Sequence, residues 1–385
     1  MTLRPLLRAD PVRLGAYTLL GRLATGGMGR IYLGRSAAGD LVAVKTLLTE
    51  TVADAVDRRR FAREVKVARR VHSPHTVRVL DADVEAEHPW MAIEYVPAPS
   101  LAELVRAAGP PGASTVRWIA AGGAAALCTL HSLGVEHRDL KPQNILLPAD
   151  GVRIIDFGIS HATDLTRTQL TLGTIAFTSP EQARGEPSTP ASDVYSLGVT
   201  LFHTATGCLP YAEAEDPLRL LAQVARGTVD LSGLPSELVG LIRPCLSTDP
   251  ANRPDPAALL PDPTAPLPGS NEAPAGSHRL PAGWAALIDG YERQGRQLAA
   301  TPLPTPPMPA PTVPLTRFLP SGHDDEPARD DPPDEPDRPF AGLSASGWKA
   351  AGTFTGNLLL LTLFGLAFVA VVGTVIAIVV ALMIT

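Results

Sequence analysis

The chain has 385 residues with a hydrophobic content of 45%, which suits one large core or two smaller ones and about three domains at most. Lysine and arginine total 33 against 39 aspartates and glutamates, so the formal charge of -6 argues against nucleic acid as the main partner. The three cysteines are scattered and odd in number, which argues against a disulfide framework and against a zinc site.

The N-terminal part of the chain predicts a small β-rich lobe over residues 17–96. Residues 1–11 hold arginines among the leucines and a proline, so they contain no apolar run long enough for a secretory signal, and we expect the following domain to be cytoplasmic. One helix is predicted near Val56–Val71. The predicted strands include Ile31–Leu33, Leu41–Val44 and Trp90–Ile93.

A glycine-rich turn lies between two of these strands, in Leu23-Ala24-Thr25-Gly26-Gly27-Met28-Gly29-Arg30-Ile31. Glycines let backbone amides close over phosphates because no Cβ stands in the way. A dinucleotide-binding fingerprint would require a helix directly after the glycines, whereas here a strand follows. The context therefore argues against a Rossmann site.

Lys45 ends the alternating apolar strand Val42-Ala43-Val44-Lys45, where its ammonium could reach a phosphate. A lone lysine on a strand is usually just solvated. Glu64, however, follows on the predicted helix, and its carboxylate can hold the ammonium in place.

Helical patterns dominate after Pro97-Ala98-Pro99 and predict a larger lobe over residues 97–256. The predicted helices are Leu101–Ala108, Ser114–Leu133, Asp193–Thr206 and Asp216–Arg226.

The most specific segments are His137-Arg138-Asp139-Leu140-Lys141-Pro142-Gln143-Asn144 and Ile154-Ile155-Asp156-Phe157-Gly158. With both in this order after a glycine loop and a strand lysine, the chain resembles the eukaryotic-like (Hanks-type) protein kinases of bacteria over residues 17–256. The resemblance implies an α+β, bilobal kinase fold and the use of ATP and Mg²⁺.

The resemblance also implies roles for the polar residues. Asp139 would accept the proton of the substrate hydroxyl, and Asn144 and Asp156 would bind Mg²⁺. Lys45, held by Glu64, would contact the α- and β-phosphates.

Substrate class and nucleotide contacts follow from the same resemblance. Lys141-Pro142 is similar to the serine/threonine subclass, in which Thr174 would bond to Asp139 and Lys141. The backbone of Glu94 and Val96 would bind the adenine edge, and the glycine-rich turn from Leu23 to Ile31 would cover the phosphates. The apolar side chains that would sandwich the adenine are those of Leu23, Ile31, Ala43, Leu146 and Ile155. Arg253 would pair with Glu181 as part of the scaffold.

Control of activity is expected in the segment 158–181. In the family, an arginine such as Arg138 pairs with a phosphate on this segment. By their spacing from Gly173-Thr174, Thr166 and Thr168 are the best candidates to carry that phosphate. We expect the protein to phosphorylate itself at these positions in a transient dimer. Thr174 would stay unmodified. The alternative is that these threonines only make a polar, solvated loop.

The C-terminal third predicts a proline-rich, partly acidic, disordered linker over residues 257–350 and a transmembrane helix over 357–384. Within the linker, Ala282–Leu298 predicts a short helix, either a docking site or, as we expect, isolated and marginal. The 27 residues of Leu358–Ile384 are almost uniformly apolar and would span roughly 40 Å as a helix. We therefore expect a single-pass protein of the cell membrane, with a cytoplasmic kinase domain and the C-terminus at or just beyond the outer face.

Two other functions remain open from the sequence. A membrane-tethered pseudokinase, acting as a phospho-independent binding platform, would generally lack one of Lys45, Asp139 and Asp156, and all three are present. A small-molecule kinase would share the phosphate machinery, but the segments Gly173-Thr174 and Ser179-Pro180-Glu181 are matched to peptide docking. The expected partners are therefore protein substrates that carry serine or threonine.

Overall fold

The structure is a computed structural model that describes residues 3–26, 29–47, 55–156, 172–214, 216–260 and 280–301. Its first lobe is an antiparallel sheet in the order β1-β2-β3-β4-β6-β5. The strands are β1 (Arg13–Leu14), β2 (Tyr17–Gly26), β3 (Gly29–Arg35), β4 (Leu41–Leu47), β5 (Val79–Asp83) and β6 (Trp90–Glu94). Each predicted strand named above lies inside one of them.

The helix of this lobe is α1 (Ala55–Ala68), which buries Phe61, Val65 and Ala68. Because these positions recur at helical spacing, one face of α1 is apolar and packs into the core that both lobes share. The opposite face of the sheet has its own cluster, centred on Tyr32, Val44 and Trp90.

The glycine-rich turn lies at the end of the hairpin formed by β2 and β3, which pair as far as Gly26 and Gly29. A Cβ on Gly29 would lie 2.2 Å from the carbonyl oxygen of Thr46, so only glycine fits beside β4. Ala24, just before the glycines of this turn, keeps a negative φ within β2. Its Cβ therefore imposes no backbone strain.

The second lobe is helical and follows the segment 94–98, which we call the hinge. Its helices are α2 (Leu101–Ala108), α3 (Ala113–Ser132), α4 (Leu172–Ile175), α5 (Pro180–Ala183), α6 (Pro190–Thr206), α7 (Pro217–Arg226) and α8 (Ser236–Cys245). A short hairpin of β7 (Ile145–Leu146) and β8 (Arg153–Ile154) lies between α3 and α4 in the chain. The predicted bilobal fold is thus confirmed.

The four predicted helices of this lobe are present with ends within three residues of the expected ones. Ser100 caps α2 through a reciprocal pair of hydrogen bonds with Glu103, which explains the sharp start of that helix. Helix α6 is the centre of the lobe and is buried along nearly its whole length. Helix α8, which is short and contains Pro244, was not predicted from the sequence, and neither were the four-residue helices α4 and α5.

The predicted scaffold pair is also present. Arg253 donates to both carboxylate oxygens of Glu181, from Nη1 at 2.7 Å and from Nη2 at 2.8 Å. Ser192 adds a hydroxyl hydrogen bond of 2.6 Å to the same carboxylate. The pair joins the start of α5 to the end of the lobe, and both side chains are buried.

The prediction of a disordered linker over 257–350 is wrong for residues 280–301. These residues include helix α9 (Ala282–Ala300), in which Trp284 and Ile288 are fully buried in the main core. The helix is therefore neither isolated nor marginal, since tertiary burial of its apolar face supplies the stability that a lone helix lacks. The sequence analysis recognised the apolar spacing but no partner surface for it.

Among the described residues, no helix has the length and apolar character needed to cross a membrane. The predicted span at 357–384 lies outside those residues, as do most of the linker and the candidate phosphorylation sites Thr166 and Thr168.

Candidate active site

Lys45 lies between two carboxylates in the cleft between the lobes. Its Nζ is 3.0 Å from Oε1 of Glu64 on α1 and 3.0 Å from Oδ1 of Asp156, which follows β8. Residues far apart in the chain are therefore joined through one ammonium. Helix α1 is thereby held against the sheet, and Asp156 is held next to Lys45 on β4.

Lys45 and Asp156 stabilise each other's charged forms, whereas burial raises the pKa of Glu64 against the opposing charge of Lys45. Burial disfavours the ammonium of Lys45, but the Asp156 and Glu64 carboxylates outweigh it and raise the lysine pKa above its usual value. Burial likewise disfavours the Asp156 carboxylate, yet the charge and hydrogen bond of Lys45 lower the pKa of that group. Lys45 and Asp156 are therefore both ionised at neutral pH.

A second cluster lies on the loop between α3 and β7. Lys141 Nζ donates to both oxygens of Asp139, at 2.9 and 2.8 Å, and contacts Thr174 Oγ1 on α4 at 3.3 Å. Asn144 donates from Nδ2 to the backbone oxygen of Asp139 at 2.8 Å and to its Oδ2 at 3.2 Å. The structure thus brings four predicted site residues together. Lys141 and Asn144 bind the carboxylate of Asp139, and Thr174 joins the cluster through Lys141.

Asp193 on α6 fixes the backbone of this loop. Its carboxylate accepts hydrogen bonds of 2.8 Å from the N–H groups of His137 and Arg138. Arg138 has a φ of 67° and Asp156 one of 60°, a left-handed conformation that side chains rarely adopt. Asp193 therefore helps to hold a strained turn that points Asp139 into the cleft.

His137 links the two clusters in its neutral form. Burial lowers the pKa of this fully buried imidazole. Its Nδ1 faces the N–H of Asp139 at 3.3 Å, and its Nε2 faces the carbonyl of Ile155 at 3.1 Å. Since an N–H only donates and a carbonyl only accepts, the proton lies on Nε2. This role of His137 was not predicted from the sequence.

The residues predicted to sandwich an adenine come from both lobes. Ala43 is buried in the sheet, whereas the side chains of Leu23, Ile31, Leu146 and Ile155 are partly exposed. The hinge backbone is held at both predicted contact points: Glu94 donates to the Arg78 carbonyl at 2.8 Å, and the carbonyl of Val96 accepts from Ala98 at 2.9 Å. In the glycine-rich turn, Ala24 and Thr25 are exposed, and Gly27 and Met28 are outside the described residues.

The donor set at Asn144 and Asp156 suits Mg²⁺ bound together with a nucleotide. The side-chain NH₂ group of Asn144 donates to Asp139, so the atom that remains to bind a cation is its side-chain carbonyl oxygen. Asp156 shares one carboxylate oxygen with Lys45 and has a second for a metal. No group of three or more acidic, histidine or cysteine residues that could hold a metal occurs in the described ranges. Two protein ligands supplemented by phosphates are typical of Mg²⁺.

Arg138, the predicted partner of a phosphothreonine, pairs here with Glu136 at 3.1 Å. This pairing with the neighbouring Glu136 was not predicted from the sequence. About a third of the arginine side chain is exposed to solvent.

A further cluster, which the sequence analysis missed, ties the N-terminal segment to the glycine-rich hairpin. The carboxylate of Asp10, although buried, lies 3.3 Å from Arg22 Nε and 3.2 Å from Arg30 Nη1. It also accepts hydrogen bonds from Tyr32 Oη at 2.9 Å and Leu7 N at 2.7 Å. The only signal in the sequence was an acidic residue ahead of two basic strand positions.

Comparison with known proteins agrees with this geometry. A family profile described as the protein kinase domain matches residues 17–264. The chain is 49% identical to serine/threonine-protein kinase AfsK of Streptomyces coelicolor over 258 residues, 66% of this chain and 32% of AfsK. It is 49% identical to AfsK of Streptomyces griseus over 248 residues, 63% of this chain and 31% of that protein.

A more distant relative is serine/threonine-protein kinase PknL of Mycobacterium tuberculosis, 32% identical over 247 residues, 62% of each chain. The chain spans about a third of the length of the two AfsK proteins. The family profile ends at residue 264, before the proline-rich and apolar C-terminal part of the sequence.

Proposed function

The chain belongs to the protein kinase domain family, and we propose that it transfers the γ-phosphoryl group of ATP to serine and threonine hydroxyls of proteins. The observation that carries this proposal is the position of the Lys45 ammonium between the carboxyl groups of Glu64 and Asp156, beside the Asp139 cluster. A positioned cation for phosphates and a positioned base for a hydroxyl are the two devices that phosphoryl transfer requires.

The reaction follows from the contacts. The substrate hydroxyl donates its proton to the Asp139 carboxylate while its oxygen attacks the γ-phosphorus, and the bond from that phosphorus to the bridging oxygen of ADP breaks. Positioned proton transfer of this kind contributes about 10²–10⁴-fold to the rate. Lys141, bonded to the same carboxylate, would stabilise the negative charge that grows on the phosphoryl oxygens.

The remaining site residues position the nucleotide. Lys45 contacts the α- and β-phosphates, and its two carboxylate partners fix it in advance, so little ordering is needed on binding. Asn144 and Asp156 would hold Mg²⁺, which would supply positive charge to the phosphates. Thr174 connects Lys141 to α4, so the end of the segment 158–181 is tied to the catalytic loop.

The alternative, a pseudokinase that serves as a binding platform, has less support. Lys45, Asp139 and Asp156 are all present, and each makes the contact that its role requires. The relatives are also named as serine/threonine protein kinases.

We further propose that Leu358–Ile384 tethers the protein to the cell membrane with the kinase domain in the cytoplasm, and that Thr166 and Thr168 are autophosphorylated in a transient dimer. The tether rests on the uncharged, apolar character of that sequence. The modification rests on spacing from Thr174 and on the partly exposed side chain of Arg138. Deleting Leu358–Thr385 should move the protein from the membrane pellet to the soluble fraction, and pelleting of the shortened protein would refute the tether.

The activity is tested with the full chain, labelled ATP, Mg²⁺ and peptides that offer serine, threonine or tyrosine, followed by mapping of the phosphorylated residues. We expect label on serine and threonine only. Lys45→Met should abolish it, while Lys66→Met, the same change at an exposed lysine of α1, should not. Nucleotide binding without any transfer by the wild type would favour the pseudokinase instead.

A further inference from the structure

Helix α9 is anchored on the second lobe along its first half. The indole of Trp284 is fully buried and donates from Nε1 to the carbonyl of Gly109, just after α2, at 3.0 Å. Two turns later, Tyr291 donates its hydroxyl to Oε1 of Glu103 at 2.7 Å. Glu103 uses its other oxygen to cap α2 at Ser100. The start of α9 is therefore fixed to α2 by apolar burial and two hydrogen bonds.

The second half of α9 crosses the hinge and reaches the first lobe. The α-carbon of Gly295 lies so close to the hinge that an added Cβ would be 2.6 Å from Cβ of Pro97. The helix then ends against β3, where the buried guanidinium of Arg35 donates to the carbonyls of Leu298 and Thr301. Because the last carbonyls of a helix lack partners within it, Arg35 both satisfies the helix end and fastens it to the sheet.

From these contacts we infer that α9 is a brace across the hinge, which sets the position of the hinge backbone for the nucleotide, and that Gly295 and Arg35 are positioning residues for ATP. The inference rests on the proposed kinase activity and extends it: a segment beyond the end of the matched kinase profile at residue 264 shapes the adenine site. Neither residue touches the nucleotide, and each acts through the backbone of Val96 and Pro97.

The physical link is the absence of free space between Gly295 and Pro97. Carbon atoms pack at about 3.5–4.0 Å, so a methyl at position 295 would require a relative movement of about 1 Å. The helix is fastened at Trp284 and at Arg35, on either side of the contact, so the hinge takes up a large part of that movement. Val96, whose backbone would bind the adenine edge, directly precedes Pro97 and moves with it.

The test compares two alanine substitutions on the same helix of the full-length protein. Gly295→Ala places a Cβ against the hinge, whereas at Gly290 an added Cβ would meet only the end of the Arg293 side chain at 3.9 Å. Both remove one helix glycine and gain the same helix propensity. If only about a fifth of the molecules keep the hinge in its ATP-binding conformation, the apparent KM for ATP rises about fivefold, and kcat at saturating ATP stays the same. We expect this change for Gly295→Ala and none for Gly290→Ala.

Arg35→Met provides a second, independent variant, since it removes both hydrogen bonds and retains the apolar stem. We expect it to raise the ATP KM as well, with Arg35→Lys recovering part of the loss. An unchanged KM in both Gly295→Ala and Arg35→Met, or a lower kcat at unchanged KM, would overturn the brace, because a purely structural role reduces the amount of active enzyme. If the wild type shows no phosphate transfer, the proposed activity fails. In that case, the dissociation constant for ATP is measured in place of KM for the same variants. A weaker affinity in Gly295→Ala and Arg35→Met, but not in Gly290→Ala, would support the brace, and unchanged affinity in both would overturn it.

Discussion

Replacing Glu181 with glutamine should destabilise the second lobe strongly, because it leaves the buried guanidinium of Arg253 without a counter-charge. Burial works against the ionised form of Glu181, but hydrogen bonds from Arg253 and Ser192 outweigh it and lower its pKa from 4.5 to about 2. A difference of this size corresponds to about 3 kcal/mol of folding free energy at neutral pH. Breaking a buried pair by removing one partner typically costs about 3–5 kcal/mol, which agrees.

The assay is thermal unfolding of the full chain, followed by tryptophan fluorescence. For a domain of this size we expect the midpoint to fall by on the order of 10 °C in Glu181→Gln. Glu186→Gln, at an exposed pair with Arg184, is the matched control and should leave the midpoint nearly unchanged. The double variant Glu181→Gln/Arg253→Met should lose less than the two single changes together, because no charge is left buried alone.

The pH dependence supplies a second check on the same pair. The folded-state pKa of Glu181 lies below its unfolded value, so its contribution is complete above about pH 4.5 and is lost as the pH falls towards 2. Wild type should therefore lose stability over this range more steeply than Glu181→Gln. A midpoint within 2 °C of wild type at neutral pH, or identical acid profiles, would refute the reasoning.

Two more changes test contacts that the sequence did not reveal. Asp10→Asn leaves Arg22 and Arg30 facing a neutral group, so we expect faster hydrogen exchange at the amides of β3, and unchanged exchange there would contradict the role given to Asp10. Trp284→Ala should cost about 3–5 kcal/mol in urea unfolding, since a fully buried indole is replaced by a cavity. A loss below about 1 kcal/mol would mean that α9 is not part of the folded kinase unit.

The polar centre of the site could be anticipated because its residues occur in short, ordered motifs. Lys45 and Glu64 lie on a strand and a helix whose periodicity is plain in the sequence, and the structure joins them as expected. Asp139, Lys141 and Asn144 occupy a single loop, so their mutual contacts follow from local geometry once the loop is fixed.

Contacts between distant segments were not accessible in the same way. Asp10 and Arg30 are 20 residues apart, and no local pattern marks them as partners. The apolar stripe of α9 was visible, but the surface it covers is formed by α2 and the hinge, nearly 200 residues earlier. The sequence of α9 alone therefore predicted a marginal helix within a linker, because the stability of α9 comes from tertiary packing.

The central claim is that the Asp139 cluster transfers phosphate, and the most direct measurement is the initial rate of serine phosphorylation by full-length Asp139→Asn at saturating ATP and Mg²⁺. The control is Asp150→Asn, the same change at an exposed aspartate that pairs with Arg153. We predict a loss of about 10²-fold or more for Asp139→Asn with ATP still bound, because the base for the hydroxyl proton is gone. Asp150→Asn should match the wild type. Near-wild-type turnover by Asp139→Asn would contradict the assignment of this loop as the catalytic one.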